Sequence, residues 1–171
     1  YNAFTHVHEQ RTLATPDTIA KWVSGLEGIE GVSFSGGEPF EQAKAVRLVI
    51  EQVRQRNPYL TFFSYTGYHL ETLENSDDEN VIGLLSELDM ISAGPYIHSE
   101  RETDLLWRGS TNQQLHYLSD VYGRSSEASW RITSPVEEFQ YDGEIIHITG
   151  FNGKGSKFLR SVNHDLDVLN H

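Results

Sequence analysis

Apolar residues in the first two thirds of the chain follow two alternating periods. Three stretches have the spacing of three and four residues that is typical of a helix with one buried face. Their apolar positions are Ile19, Trp22, Val23 and Leu26, then Ala43, Val46, Val49, Ile50 and Val53, then Val81, Leu84, Leu85 and Leu88. A short predicted strand follows each stretch. The segment at 31–37 alternates apolar and small polar residues, the one at 59–68 is rich in β-branched and aromatic residues, and the one at 89–96 is ended by Gly94 and Pro95. Helices that alternate with strands in this way favour parallel strand pairing, so the sequence predicts an α/β fold.

The boundaries of these elements carry start and stop signals. Thr15 and Pro16 supply an N-cap and a preset first turn, and Gly28 can end the first helix. Pro58 ends the second helix, because the residue before a proline avoids helical angles. A complete eight-unit barrel takes about 250 residues, whereas this chain has 171. We therefore predict a partial parallel β/α barrel, with an open doubly wound sheet as the alternative.

The pattern changes after residue 118. An Asp-Gly pair at 142–143 separates two alternating segments, of which the second lies at 145–151. The alternating positions of the first are Trp130, Ile132, Ser134 and Val136. This arrangement predicts a β-hairpin with a type I′ turn. We expect two parts, a β/α part at 1–118 and a C-terminal extension at 119–171 that ends in a short helix or a tail.

The composition limits the possible partners. The 25 acidic and 13 basic side chains give a formal charge of −12, which repels nucleic-acid phosphates, so we expect no nucleic-acid partner. Apolar residues make up 37% of the chain and form no run long enough to span a membrane, so we expect no membrane association. The sequence contains no cysteine, which excludes disulfides and thiolate metal sites within these residues and favours a cytoplasmic protein.

The string "SGGEP" directly follows the first predicted strand, where ligands gather in α/β folds. Two successive glycines let a ligand approach the backbone and allow a positive φ. Glu38 adds a carboxylate beside backbone carbonyls, which suits an ammonium group, whereas a phosphate would favour amides without a neighbouring negative charge. The alternative is a plain strand-to-helix turn, in which Glu38 is favoured by the helix dipole.

Three strings between residues 29 and 118 resemble the activating enzymes of anaerobic ribonucleotide reductase, in the radical S-adenosylmethionine superfamily. They are "SGGEP" at 35–39, "SYTGY" at 64–68 and "WRGSTNQ" at 107–113, the last beyond "DMISAGPY". The resemblance implies that the first string holds the amino group of the methionyl moiety. The residues that we assign to cofactor binding are Ser35, Gly36, Gly37, Glu38, Pro39, Tyr65, Thr66, Arg108, Ser110 and Asn112.

These residues have different expected roles. Tyr65 and Thr66 would flank the adenosine, with ordinary strand-end packing as the alternative. Arg108 can pair bidentately with a carboxylate on the cofactor or on a partner. Ser110, Asn112 and the adjacent Gln113 can orient a partner loop, or can hold their own turn.

The resemblance also implies a reaction. A reduced four-iron four-sulfur cluster would cleave S-adenosylmethionine to methionine and a 5′-deoxyadenosyl radical, which removes a hydrogen from a glycine of the large subunit of anaerobic ribonucleotide reductase. The chain would then be a glycyl-radical-activating oxidoreductase. A flavodoxin-like or ferredoxin-like protein would supply the electron. The cofactor carries this chemistry, so no catalytic acid or base is assigned.

The chain departs from that superfamily in one respect. Its members anchor the cluster through three cysteines, usually spaced C-x-x-x-C-x-x-C after the first strand, and no cysteine occurs here. Because the sequence opens on Tyr1, we expect the first strand and the cysteine loop to lie upstream. The alternatives are a cluster-free domain that binds S-adenosylmethionine or a protein partner, and another radical S-adenosylmethionine enzyme.

His6 and His8 suggest a different mechanistic class. Two histidines two residues apart are typical of the metal pair on the first strand of barrel hydrolases, but only "YNAF" precedes "THVHE" here. The remaining histidines have no consistent ligand spacing. We therefore assign no residue to metal binding and expect loop histidines exposed to solvent.

Overall fold

A computed structural model describes residues 14–102, 105–133, 137–141 and 146–150, with side chains described as far as residue 130. These residues form two compact units. The first unit consists of residues 14–101 together with Trp107–Gly123, and the second consists of the remaining described residues. His6 and His8 lie outside the described residues.

The first unit contains a four-stranded sheet. Its strands are β1 (Gly31–Phe34), β2 (Thr61–Thr66), β3 (Met90–Ala93) and β4 (Gln114–Tyr117), in the order β1-β2-β3-β4. β1 pairs with β2 and β2 with β3 in parallel, in the registers Val32 to Phe62 and Ser64 to Ile91. The predicted α/β class and its three parallel strands are thus confirmed. The partial barrel stays a prediction.

The fourth strand differs from the expected all-parallel sheet. β4 runs antiparallel to β3, with Ser92 opposite Leu115. The connection from β3 to β4 contains only the short 3-10 helix His98–Glu100 in its described part, rather than a crossover helix. A chain that returns to the sheet from the end at which it left must run antiparallel. The alternating pattern of short parallel units therefore ends at β3.

Four helices accompany these strands. They are α1 (Pro16–Ser24), α2 (Ala43–Arg56), α3 (Leu70–Glu74) and α4 (Glu79–Glu87). The predicted N-cap of α1 is confirmed, because the Thr15 side chain accepts a hydrogen bond from the Thr18 amide at 3.2 Å. No helix among the described residues is long and apolar enough to cross a membrane.

The core of this unit lies between α1, α2, α4 and one face of the sheet. Ile50 of α2 and Leu84 of α4 are fully buried and join Phe62 and Ile91 of the sheet in one apolar cluster. Each such side chain contributes about 1.5–3 kcal/mol through burial. One part of the predicted first stripe is wrong, because Trp22 is 66% exposed. Val23 of the stripe is buried as predicted, and α1 also buries Ala20.

The buried carboxylate of Asp89 connects several elements at the end of the sheet where β3 begins. Asp89 is 4% exposed, and its Oδ2 accepts the Phe62 amide at 2.8 Å and Arg54 Nη2 at 3.3 Å. Its Oδ1 accepts the Ser119 hydroxyl at 2.8 Å. The Asp89 backbone carbonyl accepts the amides of Leu118 and Ser119. One residue thereby joins β2, β3, α2 and the segment after β4.

The second unit contains α5 (Arg124–Thr133) and the antiparallel pair β5 (Glu137–Tyr141) and β6 (Ile146–Gly150). The predicted strand positions Trp130 and Ile132 lie in α5, so that part of the prediction is wrong. Four alternating positions are too few to distinguish a strand from a helix that packs on one side. The expected turn at 142–143 and the end of the chain lie outside the described residues.

Candidate functional site

The turn at residues 35–39 joins β1 to the 3-10 helix Pro39–Gln42. Ser35, Gly36 and Gly37 are exposed, whereas Pro39 is buried. Gly36 has φ +109°, a conformation that side chains rarely adopt. A Cβ atom added at either glycine would meet no atom of the described protein within 4 Å. The backbone of the turn is therefore open to a ligand at both positions.

Glu38 is half-buried, and its carboxylate binds the end of β2. Its Oε1 accepts the Thr66 hydroxyl at 2.8 Å and the Phe40 amide at 3.2 Å. Its Oε2 accepts the Gly67 amide at 2.8 Å. A carboxylate offers about four acceptor positions, and three donors are already in place. Glu38 thus fixes the turn while little of its acceptor capacity remains for a ligand.

Further hydrogen bonds connect Thr66, the partner of Glu38, to the end of β3. The Thr66 hydroxyl accepts the Tyr68 amide at 3.1 Å, and the Tyr68 carbonyl accepts the Gly94 amide at 2.8 Å. The Tyr68 phenol donates to Glu41, and this hydrogen bond raises the pKa of Tyr68. The carboxyl ends of the three parallel strands are therefore linked directly. No ligand-binding role was predicted from the sequence for Tyr68, which lies in "SYTGY", or for Gly94, which lies in "DMISAGPY".

The loop at 107–113 is held against Gly94 by Gln113. Gln113 is 8% exposed, and its Nε2 donates to the Gly94 carbonyl at 3.0 Å. Its Oε1 accepts the amides of Gly109 and Ser110 at 2.8 and 3.2 Å. Every polar atom of this side chain therefore has a partner, and the two sequence strings "SGGEP" and "WRGSTNQ" belong to one hydrogen-bonded system.

Ser110 and Asn112 bind the segment that follows β3. Ser110 is fully buried, and its Oγ accepts the Ile97 amide at 3.2 Å. The Asn112 amide group donates to the Pro95 carbonyl at 2.7 Å, while its buried Oδ1 has no partner within the described structure. These contacts tie the loop to residues 95–97. The expected role of the two residues in orienting a partner loop stays a prediction.

Tyr65 belongs to an aromatic cluster on the sheet face opposite the helices. Phe63 and Tyr65 alternate with Phe62, which points into the helical core. The Phe63 ring meets the Tyr65 ring edge-on at 4.6 Å and the Trp107 ring at 5.0 Å. Burial raises the pKa of Tyr65. Arg108 follows Trp107 in the same loop and is half-buried. The expected ligand contacts of Tyr65 and Arg108 stay predictions.

The clefts and acidic or histidine side chains described elsewhere do not involve the two glycines of the turn. Two clefts, of about 370 and 340 Å³, are lined by residues of the helices and their ends and of β3 and β4, and neither includes Gly36 or Gly37. Among the described residues, no group of three or more His, Asp or Glu side chains is placed to hold a metal ion. The candidate site therefore rests on the geometry of the turn itself.

Comparison with known proteins identifies the family. The model of the 4Fe-4S single cluster domain family matches residues 1–116. A Vibrio cholerae serotype O1 protein named anaerobic ribonucleoside-triphosphate reductase-activating protein is 34% identical over 88 residues, which are 50% of this chain and 54% of the relative. Proteins of the same name from Escherichia coli K12 and Haemophilus influenzae are both 29% identical, over 91 and 89 residues. These matches cover 52% and 51% of this chain and 56% and 55% of the two relatives.

The chain spans about half the length of the curated relatives it matches. No solved structure gives a significant match. The predicted resemblance to the activating enzymes of anaerobic ribonucleotide reductase is confirmed by the names of these relatives. The chain belongs to the 4Fe-4S single cluster domain family.

Proposed function

We propose that this protein binds S-adenosylmethionine on the turn at 35–39 and serves as an activating enzyme that generates a glycyl radical on anaerobic ribonucleoside-triphosphate reductase. The observation that carries the proposal is the open backbone of Gly36 and Gly37, directly after β1. The names of the relatives supply the reductase as the partner.

The residues of the turn fit the methionyl end of S-adenosylmethionine. An ammonium group at Gly36 and Gly37 would meet exposed backbone next to a negative charge, without interference from a Cβ atom. Glu38 keeps that charge in place through Thr66 and Gly67. Tyr65 would lie beside the adenosine, and Arg108 would bind a carboxylate of the cofactor or the partner. When bound, S-adenosylmethionine supplies one-electron chemistry through its sulfonium bond.

These residues include no ligands for an iron-sulfur cluster. Four-iron four-sulfur clusters are held by cysteine thiolates, and the 171 residues contain none. We therefore assign no step of the reaction to cluster ligands in this chain. The cluster and a flavodoxin-like or ferredoxin-like electron donor belong to the proposal only through the family resemblance.

The variant Gly37→Ala, which adds a single methyl group, tests whether the turn binds S-adenosylmethionine. Gly37 has neither a positive φ nor a neighbour within 4 Å of its Cβ position, so Gly37→Ala should fold as the wild type does. The methyl group would occupy the space assigned to the ligand, and we expect S-adenosylmethionine to bind at least about tenfold more weakly. Calorimetric titration of the anaerobically purified full-length protein measures this change.

A matched control is Gly123→Ala, since a Cβ at Gly123 also meets nothing within 4 Å. Gly123 follows Tyr122, which binds Glu30 and Thr61 at the opposite end of the sheet. This variant should bind S-adenosylmethionine as the wild type does. Equal affinity of the Gly37→Ala variant and the wild type would refute the assignment of the turn.

The activating role needs a second readout. With S-adenosylmethionine and a reductant, the full-length protein should produce the electron paramagnetic resonance signal of a glycyl radical on the large reductase subunit. Gly37→Ala should reduce that signal. Binding of S-adenosylmethionine without iron in an anaerobic preparation and without a radical would instead identify a cluster-free binding domain.

A further inference from the structure

We propose that Thr66 is a positioning residue, whose hydroxyl fixes the Glu38 carboxylate and thereby the Gly-Gly backbone that receives S-adenosylmethionine. This inference rests on the proposed function of the turn. It differs from the expectation that Thr66 flanks the adenosine, because it assigns Thr66 an action through Glu38 and no contact with the ligand.

The direction of the hydrogen bonds at Thr66 is fixed by its partners. Thr66 is 4% exposed, and its Oγ1 lies 3.1 Å from the Tyr68 amide and 2.8 Å from Glu38 Oε1. An amide N–H can only donate, so the Thr66 oxygen accepts there. The one hydroxyl proton must then go to the carboxylate. This is a hydrogen bond to a charged acceptor at short distance, which is stronger than one between neutral groups.

The geometry of Glu38 explains why this bond matters for the turn. Without the Thr66 hydroxyl, Oε1 would keep only the Phe40 amide at 3.2 Å, two residues away in the same turn. The Gly67 amide on Oε2 would be the remaining bond to the end of β2. Glycine backbone has the greatest conformational freedom of any residue, so residues 36 and 37 depend on such external anchors. Thr66 supplies one of the two anchors that β2 provides.

Two pairs of variants isolate the hydroxyl. Thr66→Val removes it and keeps the side-chain shape, while Thr66→Ala and Thr66→Ser both lack the methyl group and differ from each other only in the hydroxyl. We expect the Val and Ala variants of the full-length protein to bind S-adenosylmethionine about tenfold more weakly, as for loss of one hydrogen bond to a charged group. The Ser variant should stay within about twofold of the wild type.

A second measurement does not involve the ligand. Amide hydrogen exchange at Gly67 should accelerate in the Val and Ala variants and remain close to the wild-type rate in the Ser variant, since a carboxylate with one anchor fewer leaves its acceptor position more often. This readout also serves if one of the hydroxyl-free variants folds poorly, because the other one still reports.

The outcomes separate the two proposals. If Gly37→Ala weakens binding while Thr66→Val binds as the wild type does, the positioning role is overturned and the proposed function stands. A Ser variant as weak as the Ala variant would also overturn the positioning role, because the hydroxyl would not matter. A wild-type protein that does not bind S-adenosylmethionine would overturn both.

Discussion

Loss of the Asp89 carboxylate should strongly destabilise the first unit. Asp89→Ala leaves the buried Phe62 amide without its acceptor at 2.8 Å, which costs about 1–3 kcal/mol. It also removes the partner of Ser119 and one partner of Arg54. Arg54 is a third exposed and keeps its ion pair with Glu87, so the groups left by Phe62 and Ser119 account for most of a total cost of about 2–4 kcal/mol. Domains are stable by about 5–15 kcal/mol, so a large share of the stability would be lost.

The matched variant is Asp89→Asn, which keeps much of this network. Its carbonyl oxygen can accept the Phe62 amide while its NH₂ group donates to the Ser119 oxygen, so only the ion pair with Arg54 is lost. We expect a cost of about 1 kcal/mol. Asp17→Ala is a control for the loss of a charge alone. The Asp17 carboxylate is half exposed in its ion pairs with Lys21 and Arg56, so it should contribute far less than Asp89 to the free energy of unfolding.

Thermal and urea unfolding measure these differences. At roughly 4–8 °C per kcal/mol for a domain of about 100 residues, Asp89→Ala should lower the melting temperature by on the order of 20 °C. Asp89→Asn should lower it by several degrees. An Asp89→Ala variant that loses less than about 1 kcal/mol, or an Asn variant as unstable as the Ala variant, would refute the assignment of this network.

Three further predictions concern stability. Gly36→Ala should cost about 1–3 kcal/mol in urea unfolding because of its φ of +109°, whereas Gly37→Ala should be neutral or slightly stabilising; equal costs would contradict the turn geometry. Gln113→Leu should cost about 2–4 kcal/mol because two amides and a carbonyl lose their partner, and a cost below about 0.5 kcal/mol would contradict that role. Burial and the hydrogen bond to Glu30 raise the pKa of Tyr122 to about 12. Its stabilising contribution is therefore full below pH 10 and is lost between about pH 10 and 12; Tyr122→Phe should flatten that decline, and an unchanged pH profile would refute it.

The elements predicted correctly are those whose structure is determined by residues close to one another in the sequence. The stripe of α2 contains Val49, Ile50 and Val53, all of which are buried, and a helix brings positions three and four apart onto one face whatever it packs against. The cap at Thr15 likewise involves only the next turn of chain. The same local logic was wrong at Trp22 of α1, since spacing alone does not tell whether Trp22 or Ala20 is buried in the core.

The features that were missed depend on distant parts of the chain. Glu38 was predicted as an acceptor open to a ligand, but Thr66 and Gly67, 28 and 29 residues away, occupy its oxygens. β4 has four residues and no turn signal that separates it from the preceding loop, so only its pairing with β3 identifies it. The strings that carried the family resemblance nevertheless contain residues of this hydrogen-bonded system, because Thr66 lies in "SYTGY" and Gln113 in "WRGSTNQ".

The most direct test of the account is a crystal structure of the anaerobically prepared full-length protein with S-adenosylmethionine. We expect the methionyl ammonium group to lie within hydrogen-bond distance, about 3 Å, of the backbone at Gly36 and Gly37. Glu38 should still be bound to Thr66. A structure with the nucleotide bound elsewhere and nothing at this turn would contradict it.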